Sequence, residues 1–200
     1  MGFTQHWGNG NFTITPELLK DIKAIIAESE RRGIEIRGAD GTGSPVLTER
    51  QIIFNGDQNS SNDYETFWLE NDGFGGSCKT ARMPYDSTVC AILLRVSESN
   101  PQFIFHSEGD WDDEWVPARE IYESALNREA EMPTRVNENG SPMVTTSEGR
   151  RKIYESRIRA IDKEVLWRKK AEKEAGVCGM WMPRAKRTCT LNALHNGPHR

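Results

Sequence analysis

An α+β domain is the fold class this chain predicts, on three observations. Helical and strand-like hydrophobic periods both occur, they do not alternate regularly as a doubly wound parallel sheet requires, and glycine- and proline-bearing turns separate them. The 200 residues are 36% hydrophobic and 28% charged, a balance ordinary for a chain with a modest core. No run approaches the roughly 18 apolar residues of a membrane span. Met1 leads into Gly2, Phe3 and Thr4 rather than a basic and then apolar signal, so a cytoplasmic location without a membrane partner is expected.

The elements follow in order. Thr15 suits an N-cap and Pro16 the first helical turn, and Leu18, Leu19, Ile22, Ile25 and Ile26 recur at helical spacing until Gly33. Residues 34–37 read as a short strand, and Gly38, Asp40, Gly41, Gly43 and Pro45 as loop. Residues 51–55 and 64–69 read as strands joined by the polar stretch 56–63. A glycine-rich turn at 72–76 leads into the segment Cys78 to Asp86, after which Val89, Ile92, Leu93 and Val96 mark a buried helix with Cys90 in its core face. Residues 102–106 read as a strand, and the acidic turn 108–114 precedes a helix carrying Trp115, Ile121, Tyr122 and Leu126.

This acidic α+β domain is expected to span residues 1–128. Residues 129–147, with Pro133, Asn137, Asn139, Gly140 and Pro142, have linker composition. A basic helix over 148–175 follows, with Tyr154, Ile158, Ile161 and Val165 at three-four spacing. That stripe is either packed on its own domain or the seam of a homodimer. The charge divides with the domains. Residues 1–146 hold 24 acidic against 12 basic side chains, net −12, and residues 147–200 hold 6 against 14, net +8. A basic segment beside an acidic body points to nucleic acid or an acidic protein, or to contact with its own body.

Residues 176–200 carry Cys178, Cys189, His195 and His199 with little apolar material around them. Two thiolates and two imidazoles suit tetrahedral zinc, and so short a segment cannot bury enough surface to fold without a crosslink. The histidine interval lies in the range of small zinc modules, while the ten residues between the cysteines exceed the two to four of common knuckles. With four protein ligands no position remains for water, so such a zinc is structural. The alternative is an unliganded tail. Arg184, Lys186 and Arg187 between the cysteines, with Arg150 and Arg151 on the helix, are candidates to follow a phosphate backbone; a merely solvated basic face is the alternative.

Polar residues in the body border its strands and helices. Lys79 and Arg82, ahead of a helix beginning near Pro84, are candidates to bind an anion with the N–H groups of the helix start. Asn55, Asp57, Glu65 and Tyr85 complete a candidate nucleotide pocket. The alternative is a structural network in which Asp86 serves the helix start while Arg82 pairs with Asp57 or Glu65. Nucleophilic catalysis would need Cys78 with His6 or His106 as base, though a small buried cysteine is the commoner case. Asp110, Asp112, Asp113 and Glu114 lack the alternating pattern of a calcium loop and read better as an acidic helix start.

Several of these segments resemble known sequences. Phe3-Thr4-Gln5-His6-Trp7, Phe54-Asn55-Gly56-Asp57, Cys78-Lys79-Thr80-Ala81-Arg82 with Pro84-Tyr85-Asp86, and Ser107-Glu108-Gly109-Asp110 look like a family of uncharacterised phage and bacterial proteins, over residues 1–126. The resemblance implies a phage or prophage setting and one N-terminal domain, and carries no mechanism. The tail resembles short Cys-Cys-His-His tails ending in Gly-Pro-His of actinobacterial and actinobacteriophage proteins, which implies a structural zinc. The polar clustering and the charge split make a non-enzymatic, phage-type accessory protein with a nucleotide or nucleic-acid ligand the leading expectation. A small enzyme acting on a nucleotide or phosphoester, and an acidic inhibitor of a host protein, are the alternatives.

Overall fold

Thr15 ends an extended segment and starts α1 (Pro16–Arg31) by accepting the Leu18 N–H on its hydroxyl at 3.1 Å, while Pro16 occupies the first turn. The computed structural model describes residues 3–8, 12–71, 75–136, 141–175, 181–182 and 187–188; residues 169, 171–175, 181–182 and 187–188 are described in backbone only. It is an α+β architecture divided into two units, Met1–Glu148 and Gly149–Arg200. Among the described residues, no helix is long and apolar enough to cross a membrane.

In the first unit α1 packs against α2 (Asp86–Ser99) and α3 (Val116–Leu126), which also pack on each other. Leu18, Ile22, Ile25 and Ile26 form the buried face of α1, and α2 buries nearly all of its circumference, as its apolar run predicts. Polar contacts fix how the helices meet. Arg95 of α2 donates to Asp21 of α1 at 2.7 Å, Thr88 donates to Ser29 at 2.8 Å, and Arg32 pairs with Glu120 of α3 at 3.0 Å.

Two antiparallel sheets accompany the helices. In one, β1 (Thr4–Trp7) lies between β6 (Gly76–Lys79) and β7 (Phe105–Ser107), with Gln5 opposite both Cys78 and Ser107. In the other, β4 (Gln51–Gly56) pairs with β2 (Ile36–Arg37), β3 (Val46–Leu47) and β5 (Phe67–Glu70). Phe54 and Phe67 face each other across β4 and β5, and Phe67 also meets Trp7, so aromatic contacts join the two sheets.

The structure departs from the expected elements chiefly at three places. Residues 4–7 and 76–79 form strands that their polar composition conceals, because a strand can carry Gln5, Thr4 or Ser77 when its ladder partners come from distant chain. The second strand of the hairpin starts at Phe67 rather than Tyr64, since the backbone of Tyr64 is taken by the Asn55 amide. The segment expected to be a linker from 129 to 147 is instead packed into the first unit where it is described. Ala130, Met143 and Val144 are buried, and Met143 O and Thr145 O accept from Ser107 and Trp111. Arg135 reinforces this by donating to the carbonyls of Ser97, Asn100 and Pro101 at the end of α2. Linker-like composition marks turns, and turns pack when apolar residues flank them.

The second unit contains α4 (Ser147–Ala175), whose first residues belong to the first unit, and a two-stranded ladder of β8 (Trp181–Met182) and β9 (Arg187–Thr188).

Candidate functional site

The segment from Cys78 to Asp86 leaves β6, turns sharply and enters α2. Thr80 and Ala81 both donate their N–H groups to the carbonyl of Phe3, at 3.0 and 3.1 Å. Ala81 and Arg82 then take positive φ values of 52° and 63°, a left-handed conformation that disfavours any residue with a Cβ by roughly 1–2 kcal/mol. Surrounding contacts hold them there. The Arg82 guanidinium lies over the Phe3 ring at 4.3 Å and pairs with Glu114 at 3.2 Å.

The turn delivers Asp86 to the first turn of α2 and into the interior. Its carboxylate accepts from Gln5 at 3.0 Å and Thr80 at 2.5 Å, with the Cys90 thiol at 3.9 Å. Burial pushes the Asp86 pKa up, opposed by these hydrogen bonds and by the Arg82 charge. Among the described residues, the buried Gln5 Oε1 has no hydrogen-bond partner.

The six residues expected to form a ligand pocket divide into three groups. Asn55 is buried on β4 and closes the following loop, donating to Tyr64 O at 3.1 Å and accepting from the N–H groups of Gly56 and Tyr64. Asp57 is buried in the same loop, where it accepts from Arg37 at 2.9 Å and the Ser60 N–H at 2.8 Å. Burial works to raise the Asp57 pKa, yet those hydrogen bonds and the Arg37 charge outweigh it and the net shift is downward.

Glu65, Lys79 and Tyr85 share a second cluster. The Glu65 carboxylate accepts the Lys79 N–H at 2.7 Å, and its backbone carbonyl accepts from Tyr85 at 2.6 Å. The Lys79 ammonium lies 5.6 Å from the Tyr64 ring centre. Arg82 stands apart with Phe3 and Glu114, rather than with Asp57 or Glu65. Asp86 occupies the start of α2, where an external anion was expected.

Cys78 and the two histidines lie on different faces of their sheet. Side chains alternate along β1, β6 and β7, so Gln5, Cys78 and Ser107 point inward while His6, Ser77 and His106 point to solvent. Burial pushes the Cys78 thiol up to about 12, so it is protonated at neutral pH, and among the described residues no imidazole shares its face. The acidic run is also structural. Glu114 accepts the Asp110 N–H at 2.8 Å, Asp112 accepts from the N–H and hydroxyl of Ser147 at 2.8 and 3.0 Å, and Asp110 accepts from Thr145 at 3.1 Å. Among the described residues, no group of three or more His, Cys, Asp or Glu is placed to hold a metal ion.

A feature the sequence does not announce is a groove of about 500 Å³ bordered by Leu94, Glu98, Tyr122, Arg128, Met132 and Arg135. Tyr122 donates to both Glu98 carboxylate oxygens, at 2.7 and 2.5 Å, and Arg128 adds a contact at 2.9 Å. These side chains come from α2, α3 and the segment after α3, and only packing that segment back onto α2 creates the groove. None of the six expected ligand residues borders it.

On α4, Arg150 and Arg151 are exposed. Lys152, Arg159, Lys163 and Lys170, also exposed, recur so that at 100° per residue they share an arc of about 40°. Arg187 is placed by backbone in β9, opposite Met182. Arg184, Lys186 and the expected zinc ligands Cys178, Cys189, His195 and His199 lie outside the described residues. The β8–β9 ladder pairs Trp181 with Thr188, three residues after Cys178 and one residue before Cys189. Comparison of the chain with protein-family models, with curated proteins and with solved structures finds no match.

Proposed function

We propose that this protein binds nucleic acid without transforming it, through the basic face of α4 and a zinc-stabilised tail. The observation that carries the reading is the stripe of Lys152, Arg159, Lys163 and Lys170 exposed along one side of α4, over about 27 Å of helix axis. Phosphates attract such a row without base-specific geometry, and release of their counterions supplies the free energy. Arg150 and Arg151 enlarge the positive field, as do Arg184, Lys186 and Arg187 by sequence. A body of net −12 repels a polyanion and so favours engagement through α4 and the tail.

Two further points support a binding role over a catalytic one. Asn55, Asp57, Glu65 and Tyr85 each take part in internal hydrogen bonds, and the Cys78 thiol is buried and protonated. Zinc held by Cys178, Cys189, His195 and His199 belongs to the same proposal. The Trp181–Thr188 pairing supports it, because it ties together chain that leads within a few residues to both cysteines. The phage-type accessory role rests on the resemblance of the N-terminal segments and of the tail.

Fluorescence anisotropy with labelled 20-mers of double-stranded DNA, single-stranded DNA and RNA, titrated across salt concentrations, tests the proposal. Binding should weaken log-linearly with salt. Replacing Lys152, Arg159 and Lys163 together with glutamine should flatten the slope on duplex DNA by roughly 2 to 3. Absence of binding to every probe at low salt would remove the proposal.

A further inference from the structure

The face of α4 away from the basic stripe is apolar and exposed. Tyr154, Ile158, Ile161 and Val165 retain 65%, 40%, 55% and 44% of their accessible surface. At 100° per residue they share an arc of about 60°, centred about 150° around the helix from the lysine stripe. Their order, Tyr154 then Ile158 four residues on, Ile161 three on and Val165 four on, is that of alternating d and a positions of two heptads.

We infer that α4 pairs with the α4 of a second copy of this chain, parallel and in register, as a short coiled coil. What selects this occupant is the charge beside the seam. With Ile158 and Val165 at a, and Tyr154 and Ile161 at d, the flanking g positions hold Arg150, Arg157 and Glu164, and the flanking e positions hold Glu155, Asp162 and Lys169. In a parallel pair each g residue meets the e residue five positions later on the other helix. Arg150 then meets the partner's Glu155, and Arg157 meets the partner's Asp162. Both pairs are opposite in sign, and symmetry makes each occur twice.

The antiparallel arrangement is poorer. Packing Tyr154 against the partner's Val165 and Ile158 against the partner's Ile161 sets Arg157 beside the partner's Glu164, which is favourable. It also sets Glu155 beside the partner's Asp162, which is repulsive. In the single chain Glu155 and Glu164 already form exposed pairs with Arg159 and Arg168, at 3.8 and 3.2 Å. Such exposed i,i+4 contacts are weak and yield readily to an interhelical partner. Arg151 and Arg168 occupy the next a and d positions outward and bound the seam at both ends. The paired helices would carry their lysine stripes on opposite outer sides.

The inference stands independently of nucleic-acid binding. Sedimentation of the full chain with one equivalent of zinc, at low salt and with no nucleic acid, tests it. The wild-type chain should dimerise in the tens-of-micromolar range, and Ile158→Asp should be monomeric with the thermal unfolding of the first unit unchanged. Arg157→Glu alone and Asp162→Arg alone should each weaken the dimer about tenfold, since each reverses two symmetric contacts. The double variant should return to within about threefold of wild type. A wild-type chain that stays monomeric at the highest soluble concentration overturns the inference. So does a dimer that is indifferent to Ile158→Asp, or single reversals that the double variant does not rescue.

Discussion

Gln5 and Asp86 meet in the interior of the first unit, with the Gln5 amide donating to the Asp86 carboxylate at 3.0 Å across 81 residues of chain. The contact ties the central strand of one sheet to the start of α2, and Thr80 in the intervening turn donates to the same oxygen. A sharp turn, a strand and a helix thus converge on one buried carboxyl group.

Asp86 makes the stability of the domain depend on pH with an unusual sign. Burial raises its folded pKa, so its contribution is greatest below the ordinary carboxylate pKa and declines as pH rises through the raised value. Asp86→Asn retains an oxygen to accept from Gln5 and Thr80 and does not ionise. Urea midpoints taken between about pH 4 and about pH 8 should show wild type losing ground to Asp86→Asn as pH increases. Parallel midpoints across that range would show that burial does not perturb Asp86.

Gly56 ends β4 where the backbone passes closest to the loop it closes. A Cβ there would overlap the Asn62 carbonyl oxygen and crowd the Tyr85 ring at 3.0 Å. Backbone cannot yield as a flexible side chain does, so Gly56→Ala should destabilise by about 2–4 kcal/mol. Gly43→Ala is the internal comparison. Gly43 has φ +63° with open space around it, so only the conformational penalty of about 1 kcal/mol should appear. Equal losses at the two positions would contradict the close approach at Gly56.

Ala81 offers the reverse experiment. Alanine to glycine ordinarily destabilises by about 0.5–1 kcal/mol through backbone entropy. At φ 52° the change also relieves left-handed strain, so Ala81→Gly should be neutral or stabilising by up to about 1 kcal/mol in equilibrium unfolding. An ordinary loss would mean that the turn is not strained.

Metal analysis of the purified chain should return one zinc per polypeptide, lost on Cys189→Ser and on treatment with a strong chelator. Removal should leave the cooperative unfolding of residues 1–148 intact, because its core residues all lie within that unit. A chain without zinc, or a first unit that melts with chelation, would contradict the structural assignment of the tail.

Sequence pattern alone determined the elements whose stability is local. Thr15, Pro16 and the isoleucine period define α1, and the unbroken apolar run of α2 predicts its burial, because capping and helical period act over a few residues. The α+β class and the charge asymmetry followed from the same short-range reading. The strands at 4–7 and 76–79 were hidden, since Gln5, Ser77 and Lys79 have little strand character and become strands only through partners up to about a hundred residues away.

The site divides in the same way. Sequence marked the segments around Asn55, Cys78 and Ser107 as unusual, and the structure makes each of them a junction: Asn55 closes a loop, Asp86 anchors a turn, and Ser107 accepts the Trp115 indole N–H at 2.8 Å. Which partner each polar atom takes was not legible, so Arg82 pairs with Glu114 rather than with Asp57 or Glu65. The Glu98–Tyr122 groove and the docking of Met143 were equally invisible. What the sequence determined is what neighbouring residues impose on one another through backbone preference and periodicity. The tertiary structure decided every pairing between groups far apart in the chain, because composition does not encode which of several oppositely charged or apolar partners the folded backbone brings within reach.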